Sequence, residues 1–394
     1  MYRFISLFIE NILSGMKGRS RAEAALLLEE PDILPIGSFG ITPPITAKII
    51  GRIPYYRNTP LCWDAIAEGK VDYVNRRIAE DQLDLYRKLK FEWIRVYPNA
   101  YTRSTKVEKV GENIWRVNGA LRRWVPQTNM DWPLERGKPR SDEEVIASIE
   151  ARIKYGPKPE EIVDESIDDS YLYPVKLLKK ELGDQALIFG GASGTIGGED
   201  VDLLRWLYKY PDFIKRYLRY RTDIAIESAK RQIEAGADGI VNGADYAYKN
   251  GPFMSPKIFK EIILPELRRE VHAFKRMGAL VVLHSDGNIK PLLEYIIESG
   301  VDGVQSLDPQ AGIDIGEIKE LYGDKICLVG NICLRTLNIG SLEDVARETL
   351  ECIRKASPGG GHILTTANVV DVGVKFENFM KMIEVARKYG RYRI

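Results

Sequence analysis

Eight short apolar runs, separated by stretches of helical periodicity, restrict this chain to very few folds. The runs occupy residues 33–37, 93–97, 186–190, 239–242, 280–284, 303–307, 326–330 and 362–366. Most are continuously apolar rather than alternating, the pattern of parallel strands covered on both faces. From residue 186 onward they alternate with helical patterns whose ends are legible. Pro211 opens one that stops at Gly236, and Ser255-Pro256 gives an N-cap and first-turn proline to another that stops at Gly278. Residues 289–299 end at Gly300, Ser341 caps a helix reaching about residue 355, and the last helix, 375–389, halts before Gly390.

The joints repeat as well. Glu234-Ala-Gly-Ala-Asp-Gly-Ile240 and Glu298-Ser-Gly-Val-Asp-Gly-Val304 each place a glycine just past a helix and an Asp-Gly pair just before a strand. That is the chemistry of a short helix-to-strand turn. Eight such alternations predict an α/β fold of the (β/α)8 TIM-barrel type, with an open doubly wound sheet as the rival.

A barrel of this type accounts for about 250 residues, and the chain has 394. The surplus lies in residues 1–30 and 99–185. The second segment holds two β-type runs, 114–117 and 121–125, around Asn118-Gly119, a strong hairpin-turn signal. The chain therefore reads as a single domain over residues 1–394. It is a barrel with an N-terminal helical extension and a hairpin-containing excursion between strands two and three. Phe4, Leu7, Phe8 and Ile12 have the spacing of an amphipathic helix. Such a helix is expected to pack on its own protein or a sister subunit, which points to a homodimer, rather than to anchor in a membrane.

Composition narrows the partners. Lys+Arg number 57 against 56 Asp+Glu, a formal net charge of +1, so the concentrated basic surface that nucleic acid requires is not indicated. No stretch is long and apolar enough to predict a membrane span. Cys62, Cys327, Cys333 and Cys352 have no CxxC spacing, so neither a disulfide framework nor a zinc ribbon is expected, and the compartment reads as the reducing cytoplasm.

In (β/α)8 barrels the chemistry sits on the loops that follow the strands. Pro358-Gly-Gly-Gly361 precedes a strand and reads as a turn. The glycine-rich segment 190–198 follows one; it lacks a P-loop's Gly-Lys-Ser/Thr and reads either as a floor for a flat ligand, with Gly191 and Ser193 facing the site, or as a tight turn. In Leu283-His284-Ser285-Asp286-Gly287-Asn288, positions 284 and 286 point the same way, so His284 and Asp286 can converge as a structural couple or as metal ligands. Asp245 and Tyr246 stand on the 12-residue connection 243–254, read as a functional loop with the alternative of a rim cover. Gln305, Asp308, Asn331 and Asn368 are polar residues at other strand ends.

From residue 186 onward the chain resembles the uroporphyrinogen decarboxylase superfamily of (β/α)8 barrels. The matching pieces are the Gly-Gly-Ala-Ser-Gly194 run, Ser255-Pro256 with Leu264-Pro265, His284-Ser-Asp-Gly-Asn288, Gly330-Asn331-Ile332, Gly340-Ser-Leu-Glu-Asp-Val345, and Pro358-Gly-Gly-Gly361 leading to Asn368. Together they cover a little over half the chain. The decarboxylase branch carries an Arg-Gln-Ala-Gly-Arg-Tyr segment near its N-terminus, which is missing here, and its Gly-Asn-Ile-Asp motif becomes Gly330-Asn-Ile-Cys333.

The other branch comprises methyltransferases that use a corrinoid cofactor, often on a separate small protein, and some of them bind zinc through His-x-Cys and a later Cys. The resemblance aligns His284, Asp286 and Asn368 with those ligands, so both thiolates are replaced and the preference for zinc falls. It implies a methyltransferase moving a methyl group between a small O-, N- or S-methyl compound and a corrinoid or corrinoid-binding protein. Zinc or another divalent metal would sit at His284, Asp286 and Asn368. Asp245, His284 and Asp286 would be catalytic; Gly191, Ser193, Tyr246, Asn288, Gln305, Asp308 and Asn331 would bind substrate or cofactor. The alternatives are a lyase that decarboxylates uroporphyrinogen or a related tetrapyrrole, with Asp245 or Asp308 as proton donor, and a non-catalytic tetrapyrrole-binding protein.

Overall fold

The apolar runs assemble into one parallel sheet whose two ends meet. The computed structural model describes residues 15–97, 101–135, 140–198 and 200–392. The sheet runs in chain order through Gly37–Ser38, Trp93–Arg95, Leu187–Gly191, Gly239–Gly243, Leu280–Ser285, Gly303–Ser306, Cys327–Ile332 and His362–Thr366. Every neighbouring pair is parallel. A parallel bridge between Ile36 and Leu364 closes the ring, with Leu364 N–H donating to Pro35 C=O at 2.9 Å. The closed (β/α)8 barrel replaces the open-sheet rival.

One strand lies later than its apolar run suggested. Residues 33–37 were expected, but the strand is Gly37–Ser38. The run is divided between two tasks: Ile33 bridges antiparallel to Arg391 and Leu34 N–H donates to Gly390 C=O, so its first half pins the end of the last helix.

Strand alternation sorts side chains into two layers, which explains why the strands are apolar throughout. Trp93, Leu187, Phe189, Val241, Val282, Cys327, Val329 and Ile363 form an inner cluster, while Ile94, Ile188, Ile240, Val281, Leu283, Val304, Leu328 and Leu364 pack outward with the helices. Burial of each large side chain contributes roughly 1.5–3 kcal/mol. Ala22, Ala25 and Leu26 of the helix Gly18–Leu26 join the inner cluster. Gly18 approaches Gln185 just before the third strand, and Leu26 approaches Gly303 at the start of the sixth. This helix therefore plugs the amino end of the barrel. The amphipathic helix expected over residues 4–16 lies almost wholly outside the described residues.

The repeated joints are mechanically equivalent. Asp238 accepts from Ile188 N–H at 3.0 Å and from Lys179 Nζ at 2.6 Å; Asp302 accepts from Val281 N–H at 2.8 Å and from Lys275 Nζ at 2.7 Å. In both, an aspartate ties the start of its own strand to the strand before and to the helix that leads into that earlier strand. The Pro358-Gly-Gly-Gly361 segment is a turn at the amino end: Gly360, at φ +78°, leaves no space for a Cβ against the backbone of Glu29.

The excursion holds more than the expected hairpin. Val107–Gly111, Ile114–Val117, Ala120–Val125 and Met130–Pro133 form an antiparallel meander, with Val117 opposite Ala120 across the Asn118-Gly119 turn. Trp115 and Trp124 bury against Trp63 in a satellite cluster that fixes the meander to the helix Thr59–Ala67. Among the described residues no helix is long and apolar enough to cross a membrane.

Candidate active site

With the amino end plugged, the carboxyl ends of the strands carry the remaining opening. His284 arrives there at an inward position of the fifth strand, two residues beyond Val282 of the inner cluster. Its Nε2 lies 3.5 Å from Asp245 Oδ1 and 3.8 Å from Asp286 Oδ1. The ligand atoms of Asp245, His284 and Asp286 all fall within 4.8 Å of one another. The Asp286 backbone N–H also donates to Asp245 Oδ1 at 2.9 Å, which docks the fourth-strand loop onto the fifth.

The ring of His284 is held on three sides. Phe39 stacks on it with centroids 3.9 Å apart and planes inclined by 20°. Gln305, buried on the sixth strand, gives its Nε2 to Thr366 C=O at 3.3 Å and so leaves Oε1 to accept from His284 Nδ1. With Nδ1 donating to Gln305, Nε2 is the ring nitrogen that faces the two carboxylates. Asp286 Oδ2 accepts from Asn368, whereas its Oδ1 is buried without a hydrogen-bond partner. Burial pushes the Asp286 carboxyl above its ordinary value and the neighbouring Asp245 adds to this, against the opposing influence of His284.

Beside His284 opens a cavity of about 310 Å3, lined by Phe39, Arg95, Tyr97, Tyr171, Gly191 and Ser193 among others. Arg95, Phe39 and Tyr171 had not been singled out in the sequence. Arg95 was detectable, because it occupies the inward position two residues after Trp93 at the end of a strand. Phe39 and Tyr171 carried no such signal.

Other predicted residues are engaged elsewhere. Tyr246 is fully buried, with its hydroxyl on Thr195 Oγ1 at 2.7 Å, so it braces the 190–198 segment and does not line the cavity. Asp308 accepts from Gln310 N–H at 2.8 Å and caps the short turn Pro309–Ala311. Asn288 likewise accepts from Lys290 N–H at 3.2 Å. Asn331 donates to Leu307 C=O at 2.7 Å and receives Cys352 Sγ at 3.6 Å, so it is turned toward the helical layer. Asn368 presents its nitrogen to Asp286 and uses its oxygen on Val369 N–H at 2.6 Å. In that arrangement it orients Asp286, and Asp245, rather than Asn368, completes the group with His284 and Asp286.

The glycine-rich segment is mainly a tightly packed turn. A Cβ on Gly194 would lie 2.4 Å from Thr222 N, and one on Gly198 2.4 Å from the Phe253 ring. Gly194 N–H donates to Glu270 at 2.6 Å, and Asn242 donates to the other oxygen of the same carboxylate at 2.6 Å. The connection 243–254 folds as a small hairpin, Ala247–Tyr248 against Gly251–Pro252.

A closed parallel barrel with a His–Asp–Asp cluster and a cavity at its carboxyl mouth defines a barrel enzyme. The chain belongs to the uroporphyrinogen decarboxylase (URO-D) family, whose model matches residues 128–389. It is 25% identical over 237 residues to the methylcobamide:CoM methyltransferase MtaA of Methanosarcina barkeri, a match covering 59% of this chain and 67% of that one. A uroporphyrinogen decarboxylase of Coxiella burnetii is 25% identical over 194 residues, 47% of this chain and 50% of that one. The methylated-thiol–coenzyme M methyltransferase of Methanosarcina mazei is 26% identical over 197 residues, half of each chain. The matches thus span half to two thirds of these relatives' lengths. A solved methyltransferase from Methanosarcina mazei superposes with a TM-score of 0.66 at 20% identity, covering 95% of this chain and 98% of that one. It establishes the shared fold.

Proposed function

We propose that this chain transfers a methyl group between a small O-, N- or S-methyl compound and a corrinoid, free or carried on a separate protein. The observation that carries the reading is the convergence of His284 Nε2, Asp245 and Asp286 beside a cavity of small-molecule size. Both methyltransferase relatives support it.

The residues present suit a divalent metal. His284 Nε2 is freed by Gln305, two carboxylates stand beside it, and Asp286 Oδ1 is a buried oxygen without a partner. His284, Asp245 and Asp286 would hold the ion, with Asn368 and Gln305 orienting two of them. One nitrogen and two oxygens favour zinc less strongly than a thiolate set. Bound there, a metal would supply electrophilic assistance at the heteroatom that loses its methyl group.

The protein's own groups act around that heteroatom. With no metal at the site, burial and the neighbouring Asp245 favour a proton on Asp286, and a proton held there can be given to the departing oxygen, nitrogen or sulfur; with a metal bound, Asp286 would serve as its ligand instead. Gln305 keeps His284 in one tautomer, and Phe39 keeps its ring in one plane.

The test is formation of methylcobalamin from Co(I)-cobalamin and a panel of methoxyaromatics, methylamines and methyl thioethers. Methylation by at least one class is expected, with loss in His284→Ala. No methylation by any class, together with coproporphyrinogen formed from uroporphyrinogen, would replace this reading with the decarboxylase one.

A further inference from the structure

The cavity wall across Phe39 from His284 carries a charge that the methyl-transfer reading leaves unused. Arg95 reaches the cavity from the second strand, and among the described residues no carboxylate forms an ion pair with it. Its Nη1 donates to the Tyr97 hydroxyl at 3.1 Å, and its guanidinium carbon stands 4.1 Å from the Phe39 ring centre and 4.6 Å from that of Tyr97. Stacking fixes the guanidinium plane without consuming its five N–H donors, of which Tyr97 engages one. Arg57 stands 4.6 Å from the same Tyr97 ring, also without an ion pair among the described residues, and its Nε is buried without a partner. Other sheltered arginines are paired: Arg21 with Asp32, Arg52 with Asp81, and Arg387 with Glu92.

Phe39 separates this cation from the acidic cluster. His284 and Arg95 both lie within about van der Waals reach of its ring, and two such groups cannot share one face. The cavity is therefore polarised, with a guanidinium and tyrosines on one side and His284, backed by Asp245 and Asp286, on the other. Gly191 borders Arg95 on the cavity wall, where a Cβ would stand in ordinary van der Waals contact with Nη2 at 3.6 Å.

Resting on the methyl-transfer reading, we infer that the small methylated substrate is a carboxylate, bound by Arg95, with its methylated heteroatom at the His284 end. Arg95 is the one lysine or arginine among the described residues lining the cavity, so its charge sets where an anion binds and places the rest of the substrate toward His284.

Calorimetric titration of the full chain with three acids, each against its primary amide, tests this without any need for turnover. The pairs are 4-methoxybenzoate and 4-methoxybenzamide, N,N-dimethylglycine and its amide, and (methylthio)acetate and its amide. At least one acid is expected to bind about ten-fold or more tightly than its amide, the scale of a charge-assisted hydrogen-bonded pair. Arg95→Gln should abolish that preference while leaving the amide's affinity within about three-fold, and Arg95→Lys should restore part of it. Equal binding of acid and amide in all three pairs, no measurable binding of any acid, or a preference that survives in folded Arg95→Gln would overturn the inference. Should Arg95→Gln fail to fold, the wild-type comparison and Arg95→Lys decide the matter. An acid preference lost in Arg95→Gln, with no methylcobalamin formed from any substrate, would keep the anion site and remove the methyl-transfer reading.

Discussion

Glu270→Gln should make the protein more stable at neutral and alkaline pH, although it removes a charged residue from beneath the site. Glu270 is fully buried, and its partners Gly194 N–H and Asn242 are both uncharged. Burial pushes its carboxyl from the ordinary 4.5 up to about 7, against the pull of those two hydrogen bonds. The unfolded chain ionises near 4.5 and the folded chain near 7, so between them the folded state binds more protons. Stability from this group is therefore complete below pH 4.5, falls as pH rises to about 7, and stays low above it. The interval corresponds to on the order of 3 kcal/mol.

Glutamine has no charge to bury. It keeps an acceptor for Gly194 N–H, and its amide nitrogen finds an acceptor in Asn242 Oδ1, which is buried without a partner and becomes available if that side chain turns over. Urea unfolding of wild type and variant at pH 4.5 and 8 would measure the effect. The stability of the variant relative to wild type should widen by about 3 kcal/mol across that range. Parallel profiles at the two pH values would refute the argument that Glu270 is ionised at a cost in the folded state.

Three further outcomes are expected. Elemental analysis of protein prepared with divalent metals should find about one equivalent in wild type and less than about a tenth in His284→Ala or Asp286→Ala, while a wild-type content below a tenth removes the metal. Gln305→Leu takes away the acceptor that fixes the His284 tautomer, so affinity measured by competition with a chromophoric chelator should fall roughly 10–100-fold, and unchanged affinity would sink the tautomer argument. Gly119→Ala places a side chain at φ +87° where nothing lies within 4 Å, so backbone strain alone should cost about 1 kcal/mol or more in a denaturant melt. An unchanged melt would show that the turn does not constrain the meander.

Much of the fold was readable because its determinants are local. Ser341 caps its helix by accepting from Asp344 N–H at 3.1 Å, Ser255 accepts from Ile258 N–H at 3.2 Å, and Asn118-Gly119 makes its hairpin. Each involves neighbours only a few positions apart. Within the site, the period of the fifth strand was enough to bring His284 and Asp286 to one point. The run at 33–37 misled because its apolar character reports burial and not the partner, and half of it turned out to pair with the C-terminal end.

Side-chain allegiance was the part that no local pattern could supply. Tyr246 and Asp308 stand on loops at the carboxyl ends of strands, as site residues do, yet one braces Thr195 and the other caps a turn. Glu270 looks like any helical glutamate until Gly194 and Asn242 are folded onto it. The cavity joins Phe39, Arg95, Tyr171, Gly191 and His284 from five separate segments. Sequence periodicity records which face of an element is buried, since burial acts on each residue alone. Which polar groups meet inside is a property of pairs brought together by barrel closure, and that is where the order of the eight strands gives this protein its polarised site.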